Sequence, residues 1–184
     1  MSENKRQRIV VFDADDTLWD CQGHFEIVMQ RLYDELLPWT HDRDEAMRQL
    51  FATERKNMRL LGFGVKAFTL SILETAMRVS QRQMPVATIQ SLLEQCYGLL
   101  EFPTTPLPHV VETLTELQRR GYPLVVFTKG ELLDQQHKLE RSGLQQFFCH
   151  VEITSDKGEQ EFRQLEQKLM LVGHARMRES RGRF

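Results

Sequence analysis

Ile9, Val10, Val11 and Phe12 run without a polar residue into Asp13, Ala14, Asp15, Asp16, Thr17 and Leu18. A fully apolar run of this length reads as a strand buried on both faces, the usual state in a parallel sheet. Acids at its C-terminal end then lie where open α/β sheets bind ligands, in the crevice beyond the strand tips. Asp13 and Asp15 stand two apart, so both can face one site once the chain leaves the pleat. Such a pair can divide labour between nucleophile and proton donor. The acids do not spell an EF-hand loop, because Thr17 and Leu18 hold the fifth and sixth positions where that loop needs an acid or amide and a glycine.

Composition narrows the class. A chain of 184 residues suits one domain, or a small core carrying an inserted lobe. With 41% hydrophobic and 27% charged residues it has the composition of an ordinary globule. A net charge of -2 argues against a general nucleic-acid binder. Residues 1–8 are polar and basic and lack the apolar stretch of a signal peptide. No run is long enough to span a membrane. Cys21, Cys96 and Cys149 are odd in number and far apart, with no metal-type spacing. The expectation is a cytoplasmic protein with reduced thiols.

After Trp19 the pattern turns helical for about eighty residues. Phe25, Val28, Met29, Leu32 and Leu36 recur at helical spacing, as do Val65, Phe68, Ile72, Ala76 and Val79, and then Ile89, Leu92, Leu93, Cys96 and Leu100. A less amphipathic helix is expected over 42–57, with breaks at Pro38, at Gly62 with Gly64, and at Pro85. Pro103, Pro106 and Pro108 mark a return to the α/β pattern. A helix through Val110, Val111, Leu114 and Leu117 follows, and then the apolar strand Leu124, Val125, Val126, Phe127, ending in Thr128. Lys129 and Gly130 precede a helix stopped by Gly143, and His150, Val151, Glu152 and Ile153 alternate as an edge strand does. The division expected is a core of residues 1–20 and 104–175, a helical insertion of 21–103, and a basic tail of 176–184.

In this order the motifs resemble the haloacid dehalogenase superfamily of hydrolases. Asp13-Ala14-Asp15-Asp16-Thr17 is similar to its first motif, Thr128 to the hydroxyl of its second, and Lys157 to the lysine of its third. The helical insertion is similar to that family's cap. The resemblance implies a Rossmann-like parallel sheet with an inserted α-helical cap, and a Mg²⁺-dependent phosphatase acting through an aspartyl-phosphate. Asp13 is then the nucleophile, and Asp15 the acid that protonates the leaving oxygen and later activates water. The metal takes the Asp13 carboxylate and the Asp15 backbone carbonyl, while Thr128, Lys129 and Lys157 hold the phosphate. An acid at position 15 favours phosphoryl transfer over dehalogenation, since a halide needs no proton. The implied substrate is a small phosphorylated metabolite, with neither nucleic acid nor membrane as partner.

The fourth motif departs from this pattern. One reading takes Met170 to Val172 as a strand and Glu179 as a further metal acid, with His174 where an Asp or Asn is expected. The other notes that only sixteen positions separate Lys157 from Gly173, too few for helix, turn and strand, and that Phe162, Leu165, Leu169 and Val172 continue one helical face. On that view the C-terminal core strands are incomplete, the chain is a truncated or altered family member, and the first strand is left near an exposed apolar edge. The alternative function is then a catalytically impaired remnant that binds phosphate or a protein.

Overall fold

The structure, a computed structural model, describes residues 8–181, and from residue 171 onward only the helical backbone. Three strands, β1 (Val10–Phe12), β2 (Leu124–Lys129) and β3 (His150–Thr154), form a parallel sheet in the order β1-β2-β3. Val11 lies opposite Val125, and Val126 opposite Val151. Parallel neighbours need long crossovers. The first holds α1 (Gln22–Leu36), α2 (Arg43–Leu61), α3 (Val65–Val79), α4 (Val86–Gly98) and α5 (Val110–Arg119). The second holds α6 (Leu132–Ser142), and α7 (Glu159–Arg181) follows β3. This is the α/β class read from the sequence.

β2 sorts its side chains between two cores, as a period of two requires. Leu124 and Val126 pack with Ala14, with Leu114 of α5 and with Leu139 of α6. Val125 and Phe127 pack on the other face with Leu165 of α7. The sheet is therefore a middle layer, with α5 and α6 on one side and α7 on the other. β1 is less well covered. Val10 and Phe12 join the α5/α6 core, but Val11 between them is 41% exposed. Among the described residues no strand pairs with its outer edge.

Helices α1–α4 build a second core from Leu32 and Leu36 of α1, Leu50 of α2, Ile72 of α3 and Leu92 of α4. Phe25 packs against both cores and joins the lobe to the sheet. α2 starts where Asp42 accepts a hydrogen bond from the Glu45 amide, and it ends at Gly62, whose φ of 74° suits glycine. The seam between α2 and α3 is polar. Thr75 Oγ1 lies 2.9 Å from Thr53 Oγ1, and Asn57 Nδ2 donates to Ser71 Oγ and to Glu74 Oε2, each at 3.1 Å. These buried groups are satisfied by one another, which fixes the register of the two helices.

The C-terminal segment corrects one of the two readings. Glu159 to Arg181 is a single helix, so Met170 to Val172 is not a strand. Leu165 is buried and Leu169 partly so, on the face expected for a helix. The segment is rich in Leu, Met, Gln, Glu, Lys and Arg, all good helix formers, and the distance from Lys157 leaves no room for an added turn and strand. The expected basic tail begins inside this helix; residues 182–184 lie outside the described residues. Among the described residues no helix is long and apolar enough to cross a membrane.

Leu32 is fully buried in the lobe and Leu114 fully buried against the sheet. Leu32→Ala and Leu114→Ala are each expected to cost about 2–5 kcal/mol in urea unfolding. Leu60→Ala, at a position 77% exposed, is expected to change stability by about 0.5 kcal/mol or less.

Candidate active site

Beyond β1 the chain makes a tight loop. The amides of Thr17 and Leu18 donate to the Ala14 carbonyl at 3.2 and 2.8 Å, and the Asp16 amide donates to the Trp19 carbonyl at 2.8 Å. Asp16 takes a φ of 57°, the left-handed region that Asp tolerates better than most residues. Its carboxylate accepts from the amides of Cys21 and Gln22, both at 2.9 Å, and so anchors the start of α1. Asp16 is a turn former, and Ala14 is buried. The acids on either side of Ala14 are left outside the core at the strand tip.

Asp13 and Lys157 meet there. Asp13 Oδ1 accepts from the Ala14 amide at 2.8 Å and from Lys157 Nζ at 2.5 Å. The Asp13 side chain is 50% exposed and that of Lys157 22%. Lys157 comes from just beyond β3, so this pair spans the C-terminal end of the whole sheet. The central strand ends between them: Thr128, 2% exposed, is the penultimate residue of β2. Strand order thus places a hydroxyl-bearing strand tip between the carboxylate and the ammonium. Lys129, expected beside the phosphate, is turned elsewhere. Its Nζ lies 3.8 Å from the centre of the Phe63 ring, in the loop joining α2 to α3, a cation–π contact between core and lobe. The Glu179 side chain lies outside the described residues. Its backbone is twenty residues into α7, about 30 Å from the helix start at 1.5 Å per residue.

Asp15 belongs to a separate cluster. Its Oδ1 accepts from Trp19 Nε1 at 2.8 Å and its Oδ2 from Gln135 Nε2 at 2.7 Å. Lys138 Nζ reaches both oxygens, at 2.9 and 2.8 Å. Lys138 is 2% exposed and also lies 3.5 Å from Asp134 Oδ2 and 3.8 Å from Cys21 Sγ. Sequence reasoning missed Lys138 and Gln135, since opposite charges four apart on a helix ordinarily form a surface pair. A signal was present. Asp134, Gln135 and Lys138 fall on the same face as Leu139, the face that α6 buries.

The charges follow from this geometry. Burial pushes the Asp15 carboxyl up, but the Lys138 charge and the hydrogen bonds from Lys138, Gln135 and Trp19 outweigh it and hold Asp15 below the usual carboxylate range. Burial also raises Asp134, and the nearby Asp15 charge adds to this, so the attraction of Lys138 does not bring it back. Burial lowers Lys138, yet the two acids more than compensate and its ammonium is stabilised. Burial pushes the Cys21 thiol up to about 12, so it stays protonated.

Among the described residues no three of His, Cys, Asp and Glu gather to hold a metal. That donor set does not suit a structural zinc. It does suit Mg²⁺, which takes one or two carboxylates and keeps several waters; the half-exposed Asp13 carboxylate is a hard oxygen donor of that kind.

A glyceraldehyde 3-phosphate phosphatase of Methanothermobacter thermautotrophicus is 27% identical over 154 residues, covering 82% of this chain and 63% of that protein. A protein of the same name from Methanocaldococcus jannaschii is 27% identical over 150 residues, covering 80% and 62%. The chain thus spans a little under two thirds of the length of these relatives. The crystal structure of a haloacid dehalogenase-like family hydrolase from Xanthomonas campestris superposes with a TM-score of 0.78 at 29% identity, covering 89% of this chain and 69% of that one. The HAD-hydrolase YfnB of Bacillus subtilis, crystallised bound to magnesium, shares the fold with a TM-score of 0.52 at 20% identity, covering 81% and 66%. The family model for haloacid dehalogenase-like hydrolases matches residues 7–172, from the approach to β1 into α7, and the chain belongs to that family.

Proposed function

We propose that this chain is a Mg²⁺-dependent phosphatase that cleaves a small phosphate monoester through an aspartyl-phosphate on Asp13. The observation that carries this reading is the Asp13–Lys157 contact at 2.5 Å across the sheet tips, beyond a middle strand that ends in Thr128 and Lys129. Asp13 attacks phosphorus, and Lys157 neutralises charge on the nucleophile and the incoming phosphate. The Thr128 hydroxyl holds a phosphoryl oxygen, while the Gly130 amide is taken by the Thr154 carbonyl. Asp15 protonates the leaving oxygen and then takes a proton from the water that cleaves the intermediate. Held charged by Lys138, its carboxylate is in the state the second half of that cycle needs, and the first half draws on the minor form that has taken up a proton from solvent. Mg²⁺, held by the Asp13 carboxylate and the Asp15 backbone carbonyl, supplies when bound the positive charge that lets a phosphate dianion approach two acids. Lys129 serves the phosphate only after leaving the Phe63 ring. The α1–α4 lobe acts as the cap that shapes the space for the rest of the substrate. The relatives named for glyceraldehyde 3-phosphate support a small phosphorylated metabolite.

The second reading is a module that binds phosphate or a protein without turnover. Two observations favour it: both Asp15 oxygens are engaged by donors from Trp19, Gln135 and Lys138, and no third acid joins Asp13 among the described residues.

Turnover of p-nitrophenyl phosphate by the purified chain, with Mg²⁺ and with EDTA, separates the two. The phosphatase predicts metal-dependent turnover that Asp13→Asn abolishes. A folded, monodisperse sample that binds inorganic phosphate without turnover selects the binding module. Asp15 also sets an acid limit for such a sample. Because its folded pKa is depressed, its contribution to stability is complete above the unfolded value of about 4 and is lost as pH falls through the folded value. The wild type's margin in Tm over Asp15→Asn is therefore expected to be full near neutral pH and to shrink below about pH 4.

A further inference from the structure

Lys138 performs a task that the reading above leaves unassigned. Its ammonium is enclosed, at 2% exposure, and touches both oxygens of Asp15, one oxygen of Asp134 and the Cys21 sulfur. Buried ion pairs are seldom the cheapest way to stabilise a core, since apolar residues of similar volume commonly do as well or better. This cluster also leaves Asp134 Oδ1 and Gln135 Oε1 buried without a hydrogen-bond partner among the described residues. A purely structural account leaves these costs unexplained. What the cluster provides is direction. Three donors from two separate segments, Trp19 on the loop after β1 and Gln135 with Lys138 on α6, converge on one carboxylate and leave it a single orientation.

The same helix reaches the other half of the site. A Cβ at Gly130 would fall 2.7 Å from Gln135 Nε2 and 2.9 Å from its Cγ, so the Gln135 side chain lies directly against the turn that follows Thr128 and Lys129. Cys21, the far contact of Lys138, is the residue at which the chain enters α1 and the lobe. One helical turn of α6 therefore meets the acid, the turn after β2 and the start of the lobe.

Resting on the phosphatase reading, we infer that Lys138 is a positioning residue for the reaction: with Gln135 and Trp19 it fixes the Asp15 carboxylate relative to the strand tip that holds the phosphate. Lys138 touches no substrate and acts only through Asp15. Misplacing a reacting group by about 1 Å can cost on the order of 100-fold in rate, so the effect belongs in kcat and not in KM.

The test uses the full chain with Lys138→Met, Lys138→Arg and Gln135→Leu. Two readouts are taken: p-nitrophenyl phosphate kinetics with Mg²⁺, and the Trp19 indole N–H resonance in ¹⁵N NMR, identified by its loss in Trp19→Phe. Lys138→Met is expected to lower kcat on the order of 100-fold while KM changes less than about threefold, and to move the Trp19 resonance. Lys138→Arg is expected to restore most of both, and Gln135→Leu to lower kcat with the same constancy of KM. If Lys138→Met does not fold, Lys138→Arg and Gln135→Leu decide alone. A folded Lys138→Met or Gln135→Leu with kcat within twofold of wild type overturns the inference, as does a loss borne by KM. A wild type without turnover refutes the phosphatase and leaves the indole resonance to judge the geometry. Movement in Lys138→Met or Gln135→Leu, with the wild-type position kept in Lys138→Arg, sustains the donor cage, and an unmoved resonance refutes it.

Discussion

The burial of β2 on both faces and both edges is the constraint on which the rest of this structure hangs. Its first five residues are buried, its neighbours run parallel on either side, and its alternate side chains enter two different cores. Only such a strand can end in a polar residue held rigidly at the centre of the sheet's tip. Asp13 arrives from one side and Lys157 from the other, each on a loop that leaves an outer strand. The contact between residues 144 positions apart is therefore a product of strand order. The lobe depends on the same arrangement. Its outgoing segment at Leu18 and Trp19 and its returning segment at Pro106 and Leu107 run side by side, tied by the Leu107 amide on the Leu18 carbonyl.

Much of this was legible in the residues. The apolar runs before Asp13 and before Thr128 both read as strands buried on two faces; β2 is buried so, whereas β1 lies at the edge with Val11 41% exposed, and the helical spacing between them packs against itself. Phe162, Leu165 and Leu169 carried the helix period far enough to decide against a fourth strand. What the sequence hid was tertiary. Lys129 reads as a turn lysine beside a phosphate-binding strand tip, and nothing local shows that Phe63 will take its ammonium. Opposite charges four apart, as Asp134 and Lys138 are, ordinarily make a surface pair, and only the shared helical face with Leu139 marks Lys138 for burial. Asp15 was read from its place in the motif, but two of its three partners lie 120 and 123 residues away.

The two acids of the motif consequently live under different conditions. Asp13 is half in water, held by one lysine that is itself partly exposed. Asp15 is enclosed by donors and tied to a helix that packs against the sheet. A single intervening residue, the buried Ala14, separates a half-exposed carboxylate from one 27% exposed and held by three donors. The difference between these neighbouring carboxylates comes from environment, since the side chains are chemically the same.

The narrow coverage of β1 gives the molecule an uneven resistance to local opening. The Val10 amide bonds to the Pro123 carbonyl, so alternation turns the Val11 amide toward the edge that no described strand occupies. Hydrogen exchange should accordingly begin at that outward amide and reach β2 last. The strand that ends at Asp13 is thus thinly covered, and what secures Asp13 is the short loop behind it, folded back on the Ala14 carbonyl and stapled to the start of α1 by Asp16.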